Sequence, residues 1–274
     1  MRLTEPSHWD GVHEGSHAPS APAKSRFRLW LRFIGRSYAS EQIWNVWLPR
    51  YLESGPRRAL EIGCAPGHLL KQLHDCFGYE PYGVDYSPIG AKAARTNFEA
   101  WGFPPDHVFE SDAFAGDFQR AHAGKFDVVM SCGVIEHFTE LEPVMAAHLD
   151  LLTPGGTLII MIPNYRGLHY ALGLLTVRKL YPLHNLELMR IETFRKVFSR
   201  PDLALQCCEY VGGIDLGLLE GGSTTWFSEG VLKLTRKAQW LLNILFRYLF
   251  VGRLPESGYT SPYLIYVGRK IVSS

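Results

Sequence analysis

Ala59-Leu60-Glu61-Ile62-Gly63-Cys64-Ala65-Pro66-Gly67-His68-Leu69-Leu70 reads as a buried strand, a glycine turn and the start of a helix. Glycines at such a turn let the backbone approach a ligand closely, and the new helix offers unpaired N–H groups to it. Further along, Tyr82-Gly83-Val84-Asp85 ends a second apolar strand on a carboxylate. In βαβ nucleotide-binding units, a carboxylate at that place grips the ribose hydroxyls. The two stretches together predict an adenosine-containing cofactor.

A dinucleotide is the nearest competitor, and the residues argue against it. Ala65 stands where a second glycine would admit a pyrophosphate. Glu61, at the mouth of the turn, would repel phosphates yet attract an ammonium group. S-adenosylmethionine meets these demands, with an amino acid at one end, adenosine at the other and a sulfonium between. From this point the chain resembles the Rossmann-like S-adenosylmethionine-dependent methyltransferases.

Three further stretches extend the resemblance in the family's order. Val108-Phe109-Glu110-Ser111-Asp112-Ala113-Phe114 looks like a third strand whose aspartate faces the adenine amino group. Phe126-Asp127-Val128-Val129-Met130-Ser131-Cys132 looks like a fourth, running into Gly133-Val134-Ile135-Glu136-His137-Phe138. Leu151-Leu152-Thr153-Pro154-Gly155-Gly156-Thr157-Leu158-Ile159-Ile160 resembles a helix end, a turn and a fifth strand. Singly, a glycine turn is ordinary connection chemistry and a strand-end aspartate a helix cap. Their joint order over residues 58 to 163 overturns that reading. The cofactor-binding residues implied by the resemblance are Glu61, Gly63, Cys64, Ala65, Gly67, Asp85, Tyr86, Asp112, Ala113 and Cys132.

Alternating strand and helix patterns predict an α/β fold with helices on both faces of a mainly parallel sheet. Strands are expected near 58–63, 80–85, 107–111, 126–131, 156–162, 203–211 and 261–269. The resemblance implies a seven-stranded order 3-2-1-4-5-7-6, with the last strand antiparallel. Residues 1–38 read as a flexible N-terminal segment, rich in Gly, Ser, His, Ala and Pro over 11 to 25, with Trp9 before that stretch. A methyltransferase domain is expected over 39–274. It opens with an amphipathic helix at 39–53, carrying Ile43, Trp44, Trp47, Leu48, Tyr51 and Leu52, which should pack beside the cofactor site.

With 274 residues, 28 basic and 27 acidic, the chain suits one domain with insertions and carries no global field for nucleic acid. A small-molecule acceptor is the expected partner. Cys64, Cys76, Cys132, Cys207 and Cys208 are odd in number and lack paired zinc spacing, which suits a reducing compartment. Arg2, Glu5 and Asp10 precede any apolar run, unlike a signal peptide, so a cytoplasmic location is expected.

Two helical lid insertions, at about 164–190 and 213–258, should hold acceptor specificity, because the strands' C-terminal ends open toward them. The first contains Asn164, Tyr165, His169, Tyr170, Tyr181, His184 and Asn185. The second contains Trp226, Phe227, Trp240 and an amphipathic stretch from Val231 to Val251. Lys233, Arg236, Lys237, Gln239, Asn243 and Arg247 fall on one side of that helix. A lid or homodimer helix is the favoured reading, and peripheral contact with an anionic membrane is the other. Residues 26–33 form a second basic, aromatic patch.

Methyl transfer from a sulfonium is an in-line displacement, so positioning and exclusion of water carry much of the rate. His137 follows the fourth strand and is the candidate base for a hydroxyl acceptor, as an imidazole that titrates near neutral pH. Glu136 would orient it or bind the acceptor, and His184 is a second candidate. The Glu136-His137 pair resembles a motif of ubiquinone-pathway O-methyltransferases and of metal-binding small RNA methyltransferases. Their metal motif has a glutamate three residues earlier, where this chain has Gly133, so no metal is expected. The expected activity is O-methylation of a small aromatic, lipid-like or sugar-bearing metabolite, with S-adenosylhomocysteine as by-product. N- or C-methylation on the same scaffold and non-catalytic cofactor binding are the alternatives.

Overall fold

The computed structural model describes residues 2–13, 37–219, 225–249 and 256–271. Its centre is a seven-stranded sheet ordered β3-β2-β1-β4-β5-β7-β6, as expected. The strands are β1 (Arg58–Ile62), β2 (Glu80–Asp85), β3 (Val108–Glu110), β4 (Phe126–Cys132), β5 (Leu152–Pro163), β6 (Leu203–Val211) and β7 (Tyr263–Lys270). Strands β1 to β5 pair in parallel, and β7 runs antiparallel to both β5 and β6.

Strand alternation divides the core into two layers. Leu60, Val129 and Leu158 stand in register across β1, β4 and β5 and belong to one layer, together with Ile62 and Ile160. Ala59, Val128, Met130 and Ile159 face the other. Each fully buried aliphatic side chain of this kind contributes roughly 1.5–3 kcal/mol of transfer free energy. The helices are α1 (Pro6–His13), α2 (Tyr38–Gln42), α3 (His68–Phe77), α4 (Pro88–Trp101), α5 (Gly116–His122), α6 (Glu142–Leu151), α7 (Gly167–Thr176), α8 (Ile191–Val197) and α9 (Trp226–Tyr248). Leu70, Leu73 and Phe77 of α3 join Ala91, Ala94 and Phe98 of α4 in the second layer. Ser87 starts α4 by accepting from Gly90 N at 3.0 Å, just before Pro88 at the first helical position.

The single helix expected over 39–53 is instead α2, a π turn (Ile43–Trp47) and a 3₁₀ turn (Leu48–Arg50). Pro49, which has no N–H to donate, stands in the last of these. Ile43, Trp44 and Trp47 pack into the second layer, and Trp47 Nε1 donates to Glu209 Oε2 of β6 at 3.4 Å. None of them lines the cofactor pocket.

Within the segment read as flexible, residues 2–13 are docked. Arg2 forms an antiparallel bridge with Phe138, and Leu3 N donates to His137 O at 2.7 Å. Residues 14–36, with the basic aromatic patch, lie outside the described residues.

Helix α9 corrects the wheel drawn from the sequence. Ser228, Leu232, Thr235, Asn243 and Phe246 face inward. Phe246 stacks on Tyr38 at 6.0 Å, and Arg247 pairs with Glu41 at 2.8 Å. The outward face carries Trp226, which is 87% exposed, with Phe227, Leu234, Trp240, Leu241 and Tyr248, among Lys233, Arg236 and Lys237. No described helix is long and apolar enough to cross a membrane.

Candidate active site

A pocket with a cavity volume of about 140 Å³ opens at the C-terminal ends of β1 to β4. Gly63, Ala65, Asp85, Tyr86, Asp112, Ala113 and Cys132 of the expected set line it. Gly63 has φ 72°, and a Cβ there would lie 2.8 Å from Val134 Cγ2, so the turn admits no other residue without strain. The Asp85 carboxylate is held by the two loops beside it: Oδ1 accepts from Ser87 N at 2.9 Å and Oδ2 from Ala65 N at 3.1 Å.

Glu61, Cys64 and Gly67 are not among the lining residues. Cys64 points into the core, where its Sγ would lie 2.5 Å from a Cβ on Gly83. Gly67, at φ 95°, backs onto the Phe98 ring and starts α3. These two residues shape the turn through packing and backbone conformation. Glu61 is 2% exposed and its Oε2 has no partner, while burial and then the Asp85 charge push its carboxyl well above the usual range. An ammonium group brought near would satisfy that oxygen and restore the charged form. With a carboxylate for ribose hydroxyls and a glycine turn beside it, the residues fit S-adenosylmethionine. Burial, then Glu61 and Glu136, raise the Cys132 thiol, which stays protonated.

Beyond Cys132 the chain turns at Gly133, at φ 71°, into a single 3₁₀ turn (Ile135–His137). Glu136 is 0% exposed, and neither carboxyl oxygen has a partner among the described residues. Burial raises it to about 8. His137 is 4% exposed, with Nδ1 2.7 Å from Leu183 O. Burial first, then the neighbouring His184, lower it to about 3. This corrects the expectation of a group titrating near neutrality. The two rings lie 4.5 Å apart, and His184 Nδ1 is 2.7 Å from Leu180 O, with its pKa also lowered, chiefly by burial.

A carbonyl can only accept, so each Nδ1 carries the proton and each Nε2 is left as the basic nitrogen. Burial thus favours the neutral form of both imidazoles and of the Glu136 carboxylic acid. The first insertion locks this arrangement, since Asn185 N donates to Glu136 O at 2.7 Å and the Tyr165 ring meets His184 at 5.0 Å. His169 and Asn164 of that insertion are structural: His169 Nε2 donates to Asp215 O, and Asn164 Nδ2 to Gly258 O and Ser261 O. Ligand atoms of Glu136, His137 and His184 lie within 4.8 Å of one another. At the position of the absent glutamate, a Cβ on Gly133 would lie 3.7 Å from Glu136 Oε1.

The sequence reading missed Arg2, Thr4 and Trp9, which also line the pocket. Trp9 meets His137 edge to face at 5.2 Å, and Arg2 pairs with Asp112 at 2.9 Å. No local pattern marks them, because their partners lie far along the chain. Among the described residues, the second insertion, expected as a lid, supplies no lining residue to this pocket.

Sheet order and pocket together define an S-adenosylmethionine-dependent methyltransferase. The chain belongs to the methyltransferase-domain family, whose profile matches residues 36–210. It is 29% identical over 127 residues to the ubiquinone biosynthesis O-methyltransferase of Thiobacillus denitrificans, covering 46% of this chain and 53% of that protein. The protein of the same name from Aromatoleum aromaticum is 27% identical over 169 residues, 61% of this chain and 68% of its own. The chain thus spans about half the length of the first of these relatives. The solved geranyl diphosphate C-methyltransferase of Streptomyces coelicolor A3(2), in complex with Mg2+, geranyl-S-thiolodiphosphate and S-adenosyl-L-homocysteine, superposes with a TM-score of 0.53 at 13% identity. The match covers 89% of this chain and 76% of that one. That likeness shows the fold alone.

Proposed function

We propose that this methyltransferase methylates a hydroxyl of a small aromatic, lipid-like or sugar-bearing metabolite, with His137 as the base. The observation that carries the reading is a neutral imidazole, its Nδ1 proton committed to Leu183 O, one turn beyond the pocket-lining Cys132. The bound cofactor supplies an electrophilic methyl on a sulfonium. Asp85 would accept from the ribose hydroxyls and Asp112 from the adenine amino group, and the buried Glu61 behind the turn would draw the ammonium. Gly63 and Ala65 bring backbone close, with Tyr86, Ala113 and Cys132 as walls.

His137 Nε2 accepts the acceptor's hydroxyl proton as the oxygen attacks. Glu136, protonated at neutral pH, donates to the acceptor or to an imidazole and so orients the reacting oxygen. His184 stands behind His137 as a second neutral acceptor of protons. Burial excludes water from all three, which favours displacement over hydrolysis. Incubation with radiolabelled S-adenosylmethionine and parallel panels of hydroxyl and amine acceptors tests the reading. Label on oxygen is the expected result, and label on amines alone would sink it in favour of N-methylation.

The outward face of α9 is the proposed contact with an anionic membrane, where a lipid-like acceptor would be met. Tryptophan, phenylalanine, leucine and tyrosine interleaved with lysines suit the interfacial region of a charged bilayer. The same lysines would repel their counterparts on a second copy.

A further inference from the structure

We infer that residues 2–13 form a strap that completes the cofactor pocket, with Arg2 as the residue that positions the carboxylate for the adenine end. Arg2 Nη2 donates to both oxygens of Asp112, at 2.9 and 3.0 Å. Its guanidinium carbon lies 4.5 Å from the centre of the Tyr86 ring and 5.2 Å from that of Phe138. A planar cation between aromatic faces and a carboxylate is held in orientation as well as in charge. The Asp112 side chain is 40% exposed and otherwise accepts only from Phe114 N among the described residues, so Arg2 is the partner that fixes its Oδ2 oxygen.

The strap is fastened at several places along its length. Arg2 bridges Phe138, and Leu3 N donates to His137 O at 2.7 Å. Thr4 is buried and accepts from Trp9 Nε1 at 3.2 Å. Ser87 Oγ, at the start of α4, donates to Asp10 Oδ1 at 2.5 Å. The segment therefore crosses the pocket mouth from the ends of β3 and β4 to the helix that follows β2.

Arg2, Thr4 and Trp9 line the pocket beside a cavity of about 140 Å³, so the strap walls the space without filling it. A carboxylate presents about four lone-pair sites. Arg2 uses two on Asp112 and Phe114 N a third, leaving one for an amino group on the ligand. A cofactor enclosed in this way enters and leaves as the strap lifts, the behaviour of a small lid. The inference needs only the cofactor and is independent of the acceptor.

The test is calorimetric titration of S-adenosylhomocysteine into the full chain, with hydrogen exchange followed over residues 2–13. Arg2→Ala is expected to raise Kd about tenfold, the scale of one charge-assisted hydrogen bond. In an Asp112→Ala background the same change should have little further effect, because the two residues act as one unit. Arg2→Lys should fall between, since it keeps charge but loses the planar fork. Strap amides should exchange more slowly with S-adenosylhomocysteine bound. An Arg2→Ala Kd within about twofold of the parent, or tighter, overturns the inference, as does exchange over 2–13 that ignores the ligand. Asp85→Ala serves as the control: if it too keeps full affinity, the pocket itself is misplaced and the inference falls with it.

Discussion

The floor of the cofactor pocket, where β1 and β2 end, and the strap across its mouth are held by different means. The floor rests on backbone: a glycine turn with no room for a side chain, and Asp85 clasped by two N–H groups of neighbouring loops. The strap rests on one short backbone bridge to Phe138 and on the side-chain pairs Arg2–Asp112 and Ser87–Asp10, with Arg2 and Asp112 both partly open to solvent. Backbone-built geometry is in place before any ligand arrives, which favours tight recognition. A short segment with few fastenings can open locally without unfolding the rest. The contrast teaches that this site pairs a fixed reader with a movable closure.

The largest effect should come from the floor. Gly63→Val places a branched side chain at φ 72° against Val134, and S-adenosylhomocysteine binding is expected to fall about a hundredfold by calorimetry. Thermal melting of the same variant separates lost binding from lost folding. A fall no larger than that of Arg2→Ala would break the comparison, because floor and strap would then be equally yielding.

Next in size is the imidazole beneath the strap. His137→Ala should keep S-adenosylhomocysteine binding while kcat on a hydroxyl acceptor drops roughly 10²-fold, the scale of a lost general base. Full activity below saturation would remove His137 from that role and send attention to His184.

The pH profile sharpens the picture further. His137 must be neutral to accept a proton, and its lowered pKa keeps it so across the mildly acid range. No acidic limb of kcat/KM is therefore expected near 6.5. Glu136 loses its proton at about 8, so kcat/KM should decline as pH rises through that value, and Glu136→Gln should remove the decline. Stability follows the same signs. The folded chain keeps a proton on Glu136 that the unfolded chain loses above 4.5, so this contribution is present at acid pH and lost as pH rises toward 8. His137 works in the opposite direction, weakening the fold as pH falls below 6.5. An activity limb at 6.5 in the parent enzyme would contradict the burial of His137.

The smallest effect concerns a surface that belongs to neither floor nor strap. Sedimentation with anionic vesicles should be salt-sensitive, and joint Lys233→Gln and Lys237→Gln should weaken it about thirtyfold, at roughly 1 kcal/mol per lysine near a charged surface. No sedimentation at low salt, with a concentration-dependent mass in solution, would turn α9 into a dimer face.

Sheet order and the Asp85 position were legible because each depends on a short run: apolar strand, turn, helix. The family motif also marked Cys64 and Gly67, but a motif does not say where a side chain points, and both turn toward packing. Helix α9 was read with Gln239, Asn243 and Arg247 on the outer face beside Lys233, Arg236 and Lys237, whereas Asn243 and Arg247 turn inward and Gln239 is half-buried. Periodicity shows that two faces exist; which one docks depends on partners such as Gln239, whose Oε1 accepts from Leu216 N and whose Nε2 donates to Asn243. The neutral state of His137 was hidden for a related reason, since burial is a tertiary property. The strap was hidden most deeply, because a short polar segment gives no sign that Arg2 meets Asp112, 110 residues away.

Gly133 does more than lack a carboxylate. Its φ of 71° lies where L side chains are strained, at roughly 1–2 kcal/mol for a residue with a Cβ. The bend that aims Glu136 and His137 inward thus sets a toll on any anionic group installed there. A designer wishing to convert this cluster into a three-carboxylate or mixed cation cage would have to rebuild the loop between β4 and the 3₁₀ turn before a new side chain could contribute. The ligand count of the cluster is written into its backbone.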